Sequence, residues 1–252
     1  QAKGLAADLY PVPGDVAMSG CDWPAALHLP VGKDWPSGLY VARLQGERGQ
    51  EKSETRDALL IVRSLHPGKQ HRILYQVATN TYQAYNEWGG TNLYSGPRFP
   101  RVSFDKPFKI YPTPLLPGQQ WYNPNTNSYH TWDEPFIVWA ERAGYGIDYC
   151  ANLDLEFHPE ELEPYQLVLS VGHDEYWSAG MRDNLEAFIG RGGNVAFLSG
   201  NSICWQVRVE NQGRELVCYK RAHDHDPAFQ AGNFSELTDL WNEPLVGRPE
   251  NT

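Results

Sequence analysis

A chain of 252 residues and 28.6 kDa is long enough for one large domain or a main domain with a small companion; at 41% hydrophobic and 21% charged, its composition excludes disordered, collagen-like and coiled-coil classes. With 31 Asp plus Glu against 21 Lys plus Arg the formal charge is −10, which argues against a nucleic-acid partner. No run approaches the ~20 apolar residues that a membrane helix requires.

Residues 1 to 66 read as a β-rich segment, the edge of a sandwich. Trp35-Pro36-Ser37-Gly38 is turn chemistry ahead of an alternating strand over Leu39–Leu44. A polar, glycine-containing tip over Gly46–Thr55 leads into a more apolar strand over Ala58–Val62. From about residue 67 the pattern becomes that of an α/β domain with a parallel, three-layer sheet of the glutamine amidotransferase-like or flavodoxin-like kind. Its first strand is expected over Ile73–Ala78. A long segment rich in Gly, Pro, Asn and Tyr follows, Thr79–Thr131, and loops of this length inside a domain are usually functional. Asp133-Glu134-Pro135 opens a helix whose Phe136, Trp139, Ala140 and Ala143 repeat on one face until Gly144. Ile147–Cys150 is a second strand and Tyr165–Val171 a third. Ser178 caps a helix with Met181, Leu185, Phe188 and Ile189 on its apolar face, and Asn194–Ser199 is the fourth strand. Gln206–Tyr219 reads as a hairpin around Asn211-Gln212-Gly213.

In an open parallel sheet ligands bind beyond the carboxyl ends of the strands. Three polar motifs are expected there: Thr79–Tyr94, with its tyrosines; Gly172-His173-Asp174-Glu175-Tyr176-Trp177; and Ser199-Gly200-Asn201. Parallel neighbours would bring tyrosines, a histidine, two carboxylates and an amide into one crevice. Each motif also has a plainer explanation. Acids before a helix favour its amino-terminal dipole, tyrosine-rich loops serve packing, and Asn after Gly is common turn chemistry. It is their coincidence at equivalent strand ends that favours a site.

Elsewhere the signals are weaker. His223-Asp224-His225-Asp226 resembles a metal cluster but reads better as a solvated turn before Pro227, and His66 and His71 flank an exposed Pro-Gly turn. Cys21, Cys150, Cys204 and Cys218 show no CxxC and are expected as free, buried thiols. GxSxG, P-loop and GxGxxG motifs are absent, so a serine hydrolase and nucleotide-dependent chemistry lack their usual cradles. The 9 Trp and 14 Tyr are the unusual entries in the composition.

Ala78–Gly96, Gly172–Ser178, Met181–Asn201 with Trp205–Arg208, and Arg248-Pro249-Glu250-Asn251 together resemble the large (β) subunit family of N,N-dimethylformamidase, from about residue 30 onward. The resemblance implies an amidotransferase-like α/β core beside β-sandwich material. It further implies a hydrolase acting on a small amide through one iron ion, ferric, held by two tyrosines and a glutamate. Carried over by motif, Glu175 is the acid, Tyr94 one tyrosine and Tyr85 the other, with Tyr82 as its competitor, while His173 and Asn201 match substrate-side positions. A phenol becomes an anionic oxygen ligand when a hard cation favours its deprotonation. Trp88, Tyr176 and Trp177 would dry and shape the pocket. A small companion subunit and a homo-oligomer are implied partners. Relatives continue beyond the Arg-Pro-Glu-Asn block with a further glutamate, so the chain is expected to be truncated at its C-terminal end.

Two other functions stay open on the residues alone: a carbohydrate- or partner-binding module using the aromatic groove, and glycoside hydrolysis by two carboxylates such as Glu87 and Glu175. No signal peptide opens the chain, so the expected compartment is the cytoplasm; because it begins at Gln1 rather than Met, a removed leader would instead indicate the periplasm or secretion.

Overall fold

A computed structural model describes residues 8–48, 51–96, 98–108 and 129–246. A short helix α1 (Val16–Ser19) precedes β1 (Gly38–Arg48) and β2 (Glu51–Val62), which pair antiparallel as a two-stranded sheet. Next come β3 (Ile73–Val77), α2 (Thr79–Tyr85), β4 (Arg101–Ser103), α3 (Asp133–Arg142) and β5 (Ile147–Ala151). They are followed by α4 (Asn152–Phe157), β6 (Leu167–His173), β7 (Tyr176–Ser178), α5 (Ala179–Gly190) and β8 (Asn194–Gly200). A hairpin of β9 (Trp205–Glu210) and β10 (Glu215–Val217) and a short α6 (Pro227–Gln230) complete the described elements.

Four of these strands form a fully parallel sheet in the order β5-β3-β6-β8. The apolar sequences of β3, β5 and β6 fit strands covered on both faces, while β8, at the edge, is largely exposed. On one face Leu74, Cys150 and Val168 pack with Leu155 of α4 and with Met181, Leu185 and Phe188 of α5. On the other, Tyr75, Val77, Tyr149, Leu169 and Val171 pack with Ala140, Phe136 and Ile137 of α3 and with Leu39, Leu59 and Ile61 of the β1–β2 hairpin. The hairpin is thus sewn to the sheet, and Ser37 reinforces the seam: its hydroxyl donates to the Val62 carbonyl (3.0 Å) and accepts from the Tyr149 N–H (2.8 Å).

The chain steps from β3 to β5 on one side and returns to β6 on the other, so the order reverses between β3 and β6. At such a switch point the strand ends diverge and leave a crevice. A second sheet, β4-β10-β9-β7, stands beside it, with β7 parallel to β9 and the other pairs antiparallel. Only Asp174 and Glu175 separate β6 from β7, so the backbone crosses from one sheet to the other within two residues, at the switch point.

Several expectations shift. The third strand starts at Leu167 and runs to His173; Tyr165 precedes it and donates its hydroxyl to Asp148 (2.8 Å). Ser178 does cap α5, accepting from the Met181 N–H (3.2 Å), but Ile189 lies on the outer side of that helix. On α3, Trp139 is 56% exposed and packs against the Phe136 and Tyr145 rings at the surface, while Asp133 and Ala140 face inward. The hairpin strands are longer than the sequence suggests, and α2 and α4 were not foreseen. Residues 109–128 of the tyrosine-rich segment and the Arg248–Asn251 block lie outside the described residues.

Candidate active site

Helix α2 leaves β3 at the switch point, and six of its seven residues are buried, most of them polar. Each polar side chain ties a different element. The Asn80 backbone N–H donates to Asn152 Oδ1 (2.9 Å) and its side-chain amide to the Tyr176 carbonyl (3.2 Å). Thr81 Oγ1 accepts from the Glu175 N–H (2.9 Å). Tyr82 donates to Asp133, and Gln83 to the Ser103 carbonyl. Tyr85, on the last turn, is thereby left facing the β6–β7 junction. The loop that follows doubles back: Leu93 N–H donates to the Ala84 carbonyl (3.1 Å), and Asn92 Oδ1 accepts from the Tyr94 N–H (2.8 Å). This sets the Tyr94 and Tyr85 ring centroids 4.6 Å apart.

Four oxygens from three residues converge there, and the residues form a triangle. Tyr85 Oη lies 2.6 Å from Tyr94 Oη and 2.8 Å from Glu175 Oε2, and Tyr94 Oη lies 2.9 Å from Glu175 Oε1. Three contacts share two phenolic protons, so at any moment one edge of the triangle lacks a hydrogen. Burial, then the charge of Glu175, pushes both phenols well above their ordinary pKa. The set is therefore two neutral phenols around a carboxylate, dense in oxygen lone pairs. Tyr94 is 44% exposed and opens the triangle to solvent.

Around the triangle, His173 Nε2 is 3.3 Å from Glu175 Oε2 and 3.2 Å from the Asn201 amide nitrogen. Burial holds the imidazole below its ordinary pKa against the pull of Glu175. Asn201 has φ +48°, a left-handed conformation that Asn tolerates, so the turn and the amide's reach toward His173 have one cause. Trp205 Nε1 donates to Glu175 Oε1 (2.8 Å). Lys220 Nζ stands 3.2 Å above the centroid of the Tyr94 ring and near those of Trp205 (5.0 Å) and Tyr176 (5.4 Å), with no hydrogen-bond partner among the described residues. Burial pulls this amine down to about 8.

The structure thus brings Tyr85, Tyr94, Glu175, His173 and Asn201 together and takes Tyr82 elsewhere. Asp174 is also removed from the crevice. It points into the core, where Ser170 (2.8 Å) and Asn152 (3.3 Å) donate to it, so one carboxylate rather than two serves the site. Trp177 is fully buried against the parallel sheet, and Trp88 packs on Trp23; of the three expected rings, Tyr176 alone lies beside Tyr85 (6.4 Å). Glu87 is exposed. The His223–Asp226 stretch is a turn with Asp224 and His225 exposed as expected, but its ends are anchored: His223 pairs with buried Asp239 (2.5 Å), and Asp226 with Arg208 (2.7 Å). His71 is half-buried on Asp148 (2.9 Å). The four thiols are free, with Cys204 only partly buried. Lys220 carries no signal in the sequence, because it follows a strand of the second sheet in no motif, and Trp205 appears there only as the first residue of the Trp205–Arg208 block, with no role attached.

Among the described residues no group of three His, Cys, Asp or Glu side chains is placed to hold a metal ion, and no helix is long and apolar enough to cross a membrane. The convergent donor set is built on tyrosine instead. A doubly wound α/β core with oxygen donors, a histidine and an amide gathered at its switch point has the layout of a small-molecule enzyme site. The chain belongs to the family described as N,N-dimethylformamidase beta subunit-like, C-terminal, whose model matches residues 3–252. That name is one of an amide hydrolase and of a subunit. No curated protein matches the chain.

Proposed function

We propose that the chain hydrolyses a small linear amide at a mononuclear iron centre held by Tyr85, Tyr94 and Glu175. The observation that carries this is the triangle of their oxygens, with edges of 2.6–2.9 Å. Deprotonated, two phenols and a carboxylate carry three negative charges, which a trivalent hard cation neutralises, and their oxygens suit such an ion. Bound there, ferric iron supplies a Lewis acid for the amide carbonyl and a water nucleophile near neutral pH.

The chain's own groups do the rest. The Asn201 amide donates to the carbonyl oxygen as it gains charge. His173, neutral because of its burial and touched by the Asn201 amide, would take up through Nε2 the proton that the attacking water releases and pass it to the leaving amine. Lys220 places a cation over the Tyr94 ring face, where it offsets phenolate charge. The Tyr85 and Tyr176 rings wall the crevice and limit water. The family's subunit name supports assembly with a companion chain; that this companion is small and that copies of this chain also associate is part of the proposal, and a stable, fully active monomer would count against it.

Elemental analysis and visible spectroscopy test the reading. One iron per chain and a phenolate-to-iron charge-transfer band are expected, with amine released from a small formamide. Glu175→Ala is expected to lose iron, colour and activity together. A chain that takes up no iron and gains no colour on loading sinks the proposal.

A further inference from the structure

Four groups crowd the Glu175 carboxylate. Tyr85 Oη reaches Oε2 at 2.8 Å and Tyr94 Oη reaches Oε1 at 2.9 Å; Trp205 Nε1 donates to Oε1 at 2.8 Å, and His173 Nε2 lies 3.3 Å from Oε2. These partners differ in what happens to them when the phenol oxygens become ligands. A coordinated phenol has given up its proton and no longer donates to the carboxylate. His173 moves a proton in the proposed reaction. An indole N–H is a donor only and does not ionise in the working range, so among the four it is the permanent one.

Its placement is determined from both ends. Glu175's carbonyl accepts from the Cys204 N–H (3.0 Å) and the Trp205 N–H (2.9 Å), while its own N–H donates to Thr81 Oγ1. Trp205 is in register with Tyr176 across β7 and β9 and bridges to Leu240 on its other side. The two residues are therefore joined through backbone and side chain at once, and turning either side chain away costs the Nε1–Oε1 hydrogen bond.

We propose that Trp205 is a positioning residue for the metal ligand: its indole N–H holds Oε1 and would leave Oε2 as the oxygen presented to the ion. This rests on Tyr85, Tyr94 and Glu175 being the ligands. A hydrogen bond to the outer oxygen draws charge away from the ligating one and keeps the cation electron-poor, and partners of this kind orient ligands and set affinity.

Trp205→Phe keeps a ring and removes the donor. Loaded with ferric iron, and with its fold checked by circular dichroism, the variant is expected to bind one iron per chain. Its charge-transfer band should move to shorter wavelength, because the freed carboxylate donates more strongly. Its iron should also pass to a competing chelator about ten- to a hundredfold faster than from wild type. Trp241→Phe, which removes an indole packed under Arg182 in the core cluster of α5 while keeping its backbone bond to Cys204, is expected to change neither reading. A Trp205→Phe protein whose band and release rate both match wild type overturns the inference while leaving the ligand assignment standing. The same holds if Trp241→Phe shifts both equally. Wild-type protein that binds no iron overturns the ligand assignment and this inference with it.

Discussion

Tyr82 and Tyr85 sit three positions apart on one short helix, and each gives its hydroxyl to a carboxylate, yet the two carboxylates belong to different parts of the molecule. Tyr82 meets Asp133, which also accepts from Tyr75 Oη (2.8 Å), deep between α2, α3 and β3. Tyr85 meets Glu175 at the open junction. Their removal should therefore separate cleanly. Tyr85→Phe is expected to lose iron and visible absorption. Tyr82→Phe is expected to keep both and to lower the unfolding free energy by about 1–3 kcal/mol, the usual cost of leaving a buried acceptor unsatisfied, measured by urea denaturation. Sequence left this pair undecided because nothing in Thr-Asn-Thr-Tyr-Gln-Ala-Tyr announces a helix: β-branched and polar residues replace the apolar stripe. The helix is held by its side-chain bonds to other elements, which are invisible until those elements are placed. Lys220 was hidden for the same reason, whereas Glu175, His173 and Asn201 were legible because strand ends in a parallel sheet are where ligands bind.

At the scale of elements, the junction of β6 with β7 decides the site. The parallel strands announce themselves as apolar runs, and the Ser178 cap and the inward Met181, Leu185 and Phe188 follow from helical spacing. The crossing to a second sheet does not, since Tyr176-Trp177-Ser178 is too short to read as a strand of its own. Gly172 makes the crossing possible. Its φ is +86°, and a Cβ there would come within 2.5 Å of the Trp132 side chain. Gly172→Ala is expected to cost about 1–3 kcal/mol in backbone strain and steric conflict and to displace His173, its neighbour, from Glu175. A fall in melting temperature accompanied by weaker iron retention would show both effects; an unchanged melting temperature would contradict the strain. Ser178→Ala, one element further on, is expected to cost about 0.5–2 kcal/mol through its cap without touching the iron.

For the molecule as a whole, two buried acids fasten the layers and give stability an unusual pH dependence. Asp133 joins α3 to β3 and α2, and Asp174 joins β6 to α4. Burial raises Asp133 from 3.8 to about 7 and Asp174 from 3.8 to about 6, against the lowering pull of the hydrogen bonds each accepts. Between the unfolded and folded values the folded chain holds protons that the unfolded chain has released. Stability contributed by these groups therefore falls as pH rises through the window from about 4 to about 7. In the middle of that window each group changes the unfolding free energy by up to about 1.4 kcal/mol per pH unit. Asp133→Asn cannot ionise, and its amide still offers one acceptor and one donor to the two tyrosines. Urea denaturation at pH 5, 6 and 7 is therefore expected to show wild-type stability falling with pH relative to Asp133→Asn. Below about pH 4, where the unfolded wild-type acid is itself protonated, the slope vanishes and the difference between the two curves should become constant. Parallel curves across the window would mean that Asp133 is not held protonated by its burial, and that the polar seam joining α2 and α3 to the sheet carries a full charge at neutral pH.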